Sequence, residues 1–142
     1  MTQNNMSATF PKEQSEDHYK TQLSPEAYKV LRQNGTEFPY SGEFDNHFEK
    51  GSYHCAACDT QLFESTHKYN SGCGWPAFDT AIPGAVLYIE DHSHGMRRVE
   101  TRCAACNSHL GHVFEDGPAD TTGERYCINS VCLVFVPEKT TK

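Results

Sequence analysis

Cys55-Ala56-Ala57-Cys58-Asp59-Thr60-Gln61-Leu62 and Cys103-Ala104-Ala105-Cys106-Asn107-Ser108-His109-Leu110 are two copies of one pattern, with 44 residues between Cys58 and Cys103. Each copy places two thiols on a tight turn. Four thiolates at about 2.3 Å complete a tetrahedron around zinc and leave no position for water, which makes such a site structural. The rival readings are iron in a rubredoxin-like site and two redox-active CxxC disulfides. A redox CxxC of the thioredoxin kind sits at a βα junction, and neither pair precedes a plausible helix. The spacing therefore favours one structural zinc ion per chain, held by Cys55, Cys58, Cys103 and Cys106. Two copies are too few for a solenoid; they suit two knuckles that meet at one metal and join the halves of the chain.

Around the knuckles the sequence reads as short β-like runs separated by turn residues. Ser52 to Cys55, Ala85 to Asp91, Met96 to Arg102, Ser108 to Phe114 and Glu124 to Val136 are the expected strands. The region from Gly42 onward is thus mainly antiparallel β. One helix is legible before it. Ser24-Pro25-Glu26 supplies an N-cap, a proline at the first helical position and a first-turn acid. Ala27, Tyr28, Val30 and Leu31 give an apolar stripe, and Asn34-Gly35 stops the helix. Residues 1–22 are polar and without period and are read as a flexible tail. Residues 23–137 form the expected single domain, and 138–142 a C-terminal tail.

Length and composition agree with this. A chain of 142 residues with 37% hydrophobic content has room for one domain with a modest core. The formal charge of −7 and the scattered Lys and Arg disfavour nucleic acid. No stretch approaches the length of a membrane span, and the N-terminus lacks an apolar signal region. The expected setting is cytoplasmic. Seven cysteines there read as metal ligands and reactive thiols rather than a disulfide framework. A monomer is expected.

Three cysteines remain after the knuckles. Cys127 lies in Arg125-Tyr126-Cys127-Ile128-Asn129-Ser130. On a strand, Arg125, Cys127 and Asn129 share one face, and Tyr126, Ile128, Ser130 and Cys132 share the other. A neighbouring guanidinium favours the thiolate, the nucleophilic form. Cys132 falls on the other face, inside the apolar run Val131 to Val136, and reads as core. Cys73 sits between Gly72 and Gly74, where a second sulfur has room to approach. Trp75, the single tryptophan, stands beside it as a candidate pocket wall. His109 and His112 are candidate proton donors. They face opposite sides of a regular strand and serve one site only if Gly111 permits a bulge. His18, His47 and His67 carry no readable signal, and His92 and His94 read as loop residues.

The stretches Gly72 to Phe78, His109 to Pro118 and Arg125 to Ser130 resemble the B-type peptide-methionine (R)-S-oxide reductases, and the two CxxC pairs resemble that family's zinc-bearing branch. The resemblance covers roughly Leu23 to Val136. It implies two antiparallel β-sheets with a few peripheral helices. It also implies reduction of the R epimer of methionine sulfoxide in proteins, with thioredoxin as a common electron donor. That one reductase type serves one sulfoxide epimer is established for the family rather than read from these residues. On matching positions Cys127 is the nucleophile and Cys73 the recycling cysteine. Trp75, His109, His112 and Asn129 line the pocket, and Arg125 flanks it.

The chemistry suits these residue types. A thiolate attacks the sulfoxide sulfur while a histidine, or a water it holds, protonates the oxygen. Methionine leaves, the thiol becomes a sulfenic acid, and a second thiol condenses with it to a disulfide. An external dithiol then reduces that disulfide by exchange. Two other classes compete. One is a zinc-ribbon interaction module without catalysis. The other is a thiol oxidoreductase acting on disulfides.

Overall fold

The computed structural model describes residues 10, 12–38, 40, 42–44, 47–92, 95 and 97–138. His94, Met96 and residues 139–142 of the expected C-terminal tail lie outside them. Two α-helices come first among the described residues. α1 spans Glu16–Gln22 and α2 spans Pro25–Gln33. The Ser24 hydroxyl accepts from the Ala27 N–H at 3.1 Å, and Asn34 closes α2 in the left-handed region at φ 58°. Ala27, Val30 and Leu31 turn into the core, as the sequence stripe requires.

Of the tail expected over residues 1–22, 1–9 and 11 lie outside the described residues, and Glu16–Gln22 is helical as α1. Ser15 caps it, and Tyr19 is fully buried. Two turns with a single buried side chain leave no apolar period to detect, which is why the pattern was silent. The helix is held by Arg32 of α2, whose guanidinium carbon lies 4.3 Å from the centroid of the Tyr19 ring. Its Nη2 meets the carboxylates of Glu13 and Glu16 at 2.7 and 2.9 Å. Its Nη1 donates to the Cys106 carbonyl at 2.8 Å and to the Ser108 hydroxyl at 3.0 Å. One side chain thus ties both helices to the second knuckle.

Nine strands follow among the described residues: β1 (Gly51–Cys55), β2 (Gln61–Glu64), β3 (Lys68–Tyr69), β4 (Ala77–Phe78), β5 (Val86–Asp91), β6 (Arg98–Cys103), β7 (His109–Phe114), β8 (Arg125–Ile128) and β9 (Leu133–Pro137). They form two antiparallel sheets, one ordered β2-β1-β9 and the other β3-β4-β8-β7-β6-β5. β2, β3 and β4 were not expected from sequence; two of them are only two residues long and too short to show alternation. The run Glu124 to Val136, expected as one strand, is two. β8 belongs to the larger sheet and β9 to the smaller, with a 3₁₀ turn at Ser130–Cys132 between them. Glu138 continues the edge, its N–H donating to the Lys50 carbonyl.

The core lies between the sheets. Phe63 stacks on Phe78 with centroids 4.2 Å apart, Tyr53 meets Phe78 edge-on, and Tyr126 meets Phe63. Tyr126 and Ile128 face this core, which leaves Cys127 on the opposite face of β8. Among the described residues no helix is long and apolar enough to cross a membrane.

Tyr19→Ala is expected to cost about 3 kcal/mol in urea unfolding, because it empties a filled site and unseats Arg32. A loss under about 0.5 kcal/mol, typical of an unpacked surface position, would mean that α1 contributes nothing to the fold.

Candidate active site

The knuckles bring four sulfurs together. The Sγ atoms of Cys55, Cys58, Cys103 and Cys106 all lie within 4.8 Å of one another. Across the knuckles, Cys55 and Cys106 are 3.7 Å apart, and Cys58 and Cys103 are 3.6 Å apart. A sulfur tetrahedron with bonds of about 2.3 Å has an edge of about 3.8 Å, so the cluster has the size of a tetrahedral metal site. The two copies are also built alike. Asp59 and Asn107 adopt φ of 69° and 67° and return N–H bonds to the carbonyls of Cys55 and Cys103. The hydroxyls of Thr60 and Ser108 each lie 3.1 Å from a sulfur.

The remaining thiols converge elsewhere. β8 places Cys127 between Ala77 of β4 and His112 of β7. Directly opposed side chains on neighbouring strands share a face, so His112 stands beside Cys127. The loop before β4 brings the Cys73 sulfur to 2.9 Å from that of Cys127. Arg125, two residues back on β8, donates from Nη1 to the Cys127 sulfur at 2.8 Å. Asp116 grips the other side of that guanidinium at 2.8 and 3.1 Å, and Phe114 lies under it at 4.5 Å. A cavity of about 340 Å³ opens over Cys73, Cys127, Trp75, His112, Arg125 and Asn129.

The two thiols are joined by one hydrogen bond. The Cys73 thiol is lowered to about 5, first by the hydrogen bond with Cys127. The same contact pushes Cys127 up, burial adds to it, and Arg125 pulls the other way. The resting charge therefore lies on Cys73. Passing the bonded proton across, or turning Cys73 aside, leaves Cys127 with a guanidinium at hydrogen-bond distance.

His109 and His112 do reach one side of β7. The register opposite β6 runs Arg102 to His109 and Thr101 to Gly111, so Leu110 is the extra residue of a bulge. The two rings come to 5.8 Å, edge-on. Gly111 is required there, since a Cβ would run into the carbonyl oxygen of Cys127. His112 lines the cavity. His109 is 4% exposed and stands behind it. Each histidine has a carboxylate and an arginine. His112 Nε2 meets Asp91 at 2.9 Å, and Asp91 meets Arg98 at 3.1 Å. His109 Nδ1 meets Glu100 at 2.7 Å, and Glu100 meets Arg102 at 2.8 Å. Burial lowers His112 against the pull of Asp91. Burial acts upward on Glu100, but its bonds to His109 and Arg102 outweigh it and hold it ionised.

Asn129 lines the cavity just past the end of β8. Both ends of its amide hold main chain: Nδ2 donates to the Leu110 carbonyl, and Oδ1 accepts from the Glu37 N–H, each at 2.9 Å. Trp75 donates from Nε1 to the Glu37 carbonyl at 3.2 Å. Cys132 is fully buried and donates to the His109 carbonyl.

Glu37, Asp91 and Glu100 were missed from sequence. Asp91 and Glu100 sit in runs read as strands, where a charged residue was the available signal. Glu37 follows a helix in no motif, and no signal marks it. Its carboxylate is buried and accepts from the N–H groups of Ser130 and Val131 at 2.9 and 3.1 Å. Glu37→Gln replaces one acceptor oxygen with a donor against those N–H groups. It is expected to cost about 2 kcal/mol, to shift the fluorescence of Trp75 and to lower kcat. Unchanged Trp75 emission and kcat in a folded Glu37→Gln protein would remove Glu37 from the site.

Comparison with known proteins agrees with this geometry. Residues 23–137 match the SelR domain family. A probable methionine-R-sulfoxide reductase B of Caenorhabditis elegans is 52% identical over 127 residues, covering 88% of this chain and 84% of the relative. A peptide methionine sulfoxide reductase MsrB of Chromohalobacter salexigens is 54% identical over 128 residues, covering 88% and 95%. One of the same name from Methanosarcina mazei is 54% identical over 130 residues, covering 91% and 92%. With its matched domain spanning both knuckles and the paired thiols, the chain belongs to the SelR family of methionine-R-sulfoxide reductases.

Proposed function

We propose that this protein reduces the R epimer of methionine sulfoxide in proteins to methionine, with Cys127 as nucleophile, Cys73 as recycling thiol and residues 23–137 as the single catalytic domain. The observation that carries the reading is the sulfur pair. Two thiols 2.9 Å apart, one of them 2.8 Å from a guanidinium, border one cavity with a tryptophan and a histidine.

The Cys127 thiolate attacks the sulfoxide sulfur while the oxygen is protonated from the His112 side, directly or through a water. Trp75 offers the substrate methyl group an apolar wall and turns the oxygen toward the donors. Asp91, bonded to Nε2 and backed by Arg98, keeps that ring oriented, and the His109 ring packs edge-on behind it. Methionine leaves, and Cys127 carries the oxygen as a sulfenic acid. The Cys73 thiolate attacks Cys127 sulfur, the S–O bond breaks, hydroxide takes up a proton as water, and a Cys73–Cys127 disulfide forms. A dithiol protein of the thioredoxin class returns two electrons. A cytoplasmic monomer is the setting proposed for this cycle, which draws on Cys73 and Cys127 as thiols and needs a reducing dithiol to restore them after each turnover.

Zinc is the ion proposed for the four-cysteine cluster, because four thiolates in a tetrahedron suit it. With every position filled it cross-links the knuckles and supplies no chemistry to the substrate.

Two experiments test the reading. Supplied with separate epimers, the enzyme is expected to turn over only the R form. Cys127→Ser should form no methionine in a single turnover, and Cys73→Ser should form about one equivalent and then stall with thioredoxin. Equal turnover of both epimers, or methionine from Cys127→Ser, would defeat the assignment. For the metal, Cys106→Ser is expected to lose bound zinc and most of its folding free energy together, since zinc binding is worth on the order of 10 kcal/mol in small domains. A metal-free Cys106→Ser protein of normal stability would count against a structural ion.

A further inference from the structure

The sulfur pair opens on two sides. The substrate cavity is bordered by both Cys73 and Cys127. A second cavity, of about 480 Å³, reaches Cys73 but not Cys127. It is walled by Tyr69, Ser71, Asp116, Gly117 and Pro118, and it shares only Cys73 and Arg125 with the first. Resting on the reductase reading, we propose that this second cavity is where the dithiol reductant docks and attacks, on Cys73 and from the side away from the substrate.

Thiol–disulfide exchange is a displacement in which three sulfurs come nearly into line. The incoming thiolate must approach one sulfur along the extension of the bond that breaks. An approach through the second cavity meets Cys73 with Cys127 beyond it. The new bond joins the reductant sulfur to Cys73, the Cys73–Cys127 bond breaks, and its electron pair goes to Cys127. Arg125 is already bonded to the Cys127 sulfur at 2.8 Å and stabilises it as the leaving thiolate. The second thiol of the reductant then attacks its own sulfur in the mixed disulfide. Cys73 is released as a thiolate, and the reductant departs as a disulfide. Two electrons have passed to the enzyme.

A second feature of this cavity fits docking by a protein. Tyr69 in its wall carries a buried hydroxyl with no hydrogen-bond partner among the described residues. Buried hydroxyls without partners are rare in finished interiors, and one at a docking cavity suits a site completed from outside. The arrangement also keeps the two partners apart. The oxidised polypeptide uses the face with Trp75 and His112, and the reductant uses the face with Tyr69 and Pro118.

Pro118→Trp narrows the second cavity without touching the first. It is expected to raise the KM for thioredoxin about tenfold. Turnover with dithiothreitol, and methionine formed in a single turnover, should stay within about twofold of wild type. Unchanged thioredoxin KM would overturn the proposal. The wild-type enzyme provides a test that needs no folding of a variant. A thioredoxin with its second cysteine changed to serine should be trapped on the oxidised enzyme as a mixed disulfide with Cys73. Trapping on Cys127 would place the attack on the other sulfur and overturn the proposal. Absence of methionine from wild-type enzyme in a single turnover would instead defeat the reductase reading, and the docking site with it.

Discussion

The buried carboxylate of Glu37 on the N–H groups of Ser130 and Val131 fixes the point where the chain changes sheets. β8 ends at Ile128 in the larger sheet, and β9 begins at Leu133 in the smaller. A turn at such a junction exposes donors that neither sheet can satisfy, and leaving them unpaired inside the protein costs about 1–3 kcal/mol each. Glu37 supplies the acceptors. Its own N–H and carbonyl go to Asn129 and Trp75, so one residue registers the end of the Cys127 strand against the Trp75 wall of the cavity. Asn129 completes the joint by holding the Leu110 carbonyl, and Leu110 is the bulged residue that brings His109 and His112 to one side. Sheet change, bulge and cavity wall are thus one connected structure.

Charge inside this structure is distributed in closed groups. Arg125 is shared between Asp116 and Cys127, Asp91 between His112 and Arg98, and Glu100 between His109 and Arg102. Each ion in these groups has an opposite partner, which is the condition for keeping it charged away from water. Asp116 matters through geometry more than through charge, since it is exposed and weakly shielded from salt. Its fork against the guanidinium leaves Nη1 free to face the sulfur. The thiol pair is the exception to the pattern. The two sulfurs lean on one another, and the cation bonded to the pair, Arg125, lies on the Cys127 side. That asymmetry favours Cys127 as the thiolate once the pair separates.

Much of this was legible because it is written in short-range pattern. The knuckles announce themselves by CxxC spacing, α2 by its cap and stop residues, and the faces of Arg125 and Cys127 by strand alternation. The bulge at Leu110 was foreshadowed by Gly111 and by the need to bring two histidines together. What stayed hidden depends on contacts between distant residues. Glu37 is 92 residues from Asn129, and its neighbours in sequence give no hint of a buried carboxylate. α1 is held by Arg32 and one tyrosine, too little apolar surface for a period. The break in the run Glu124 to Val136 is invisible because both halves are good strand sequence; only the 3₁₀ turn stabilised by Glu37 divides them.

The two thiols sit on backbone of opposite character, and this decides which of them moves. Cys127 is paired on both sides, and the Ile128 N–H is bonded to the Pro76 carbonyl. Gly111 packs against its carbonyl so closely that no side chain fits between. Cys73 lies between Gly72 at φ 75° and Gly74 at φ 97°, outside any strand. Tyr40 restrains that loop, its N–H donating to the Gly74 carbonyl at 2.6 Å and its hydroxyl to the Gly72 carbonyl at 2.8 Å. Two such bonds contribute about 1–3 kcal/mol together, enough to define a resting position and small enough to break reversibly. Trp75 begins beyond the second glycine and is anchored separately to the Glu37 carbonyl. The Cys73 sulfur can therefore swing on its glycines while the Trp75 wall of the cavity stays in place.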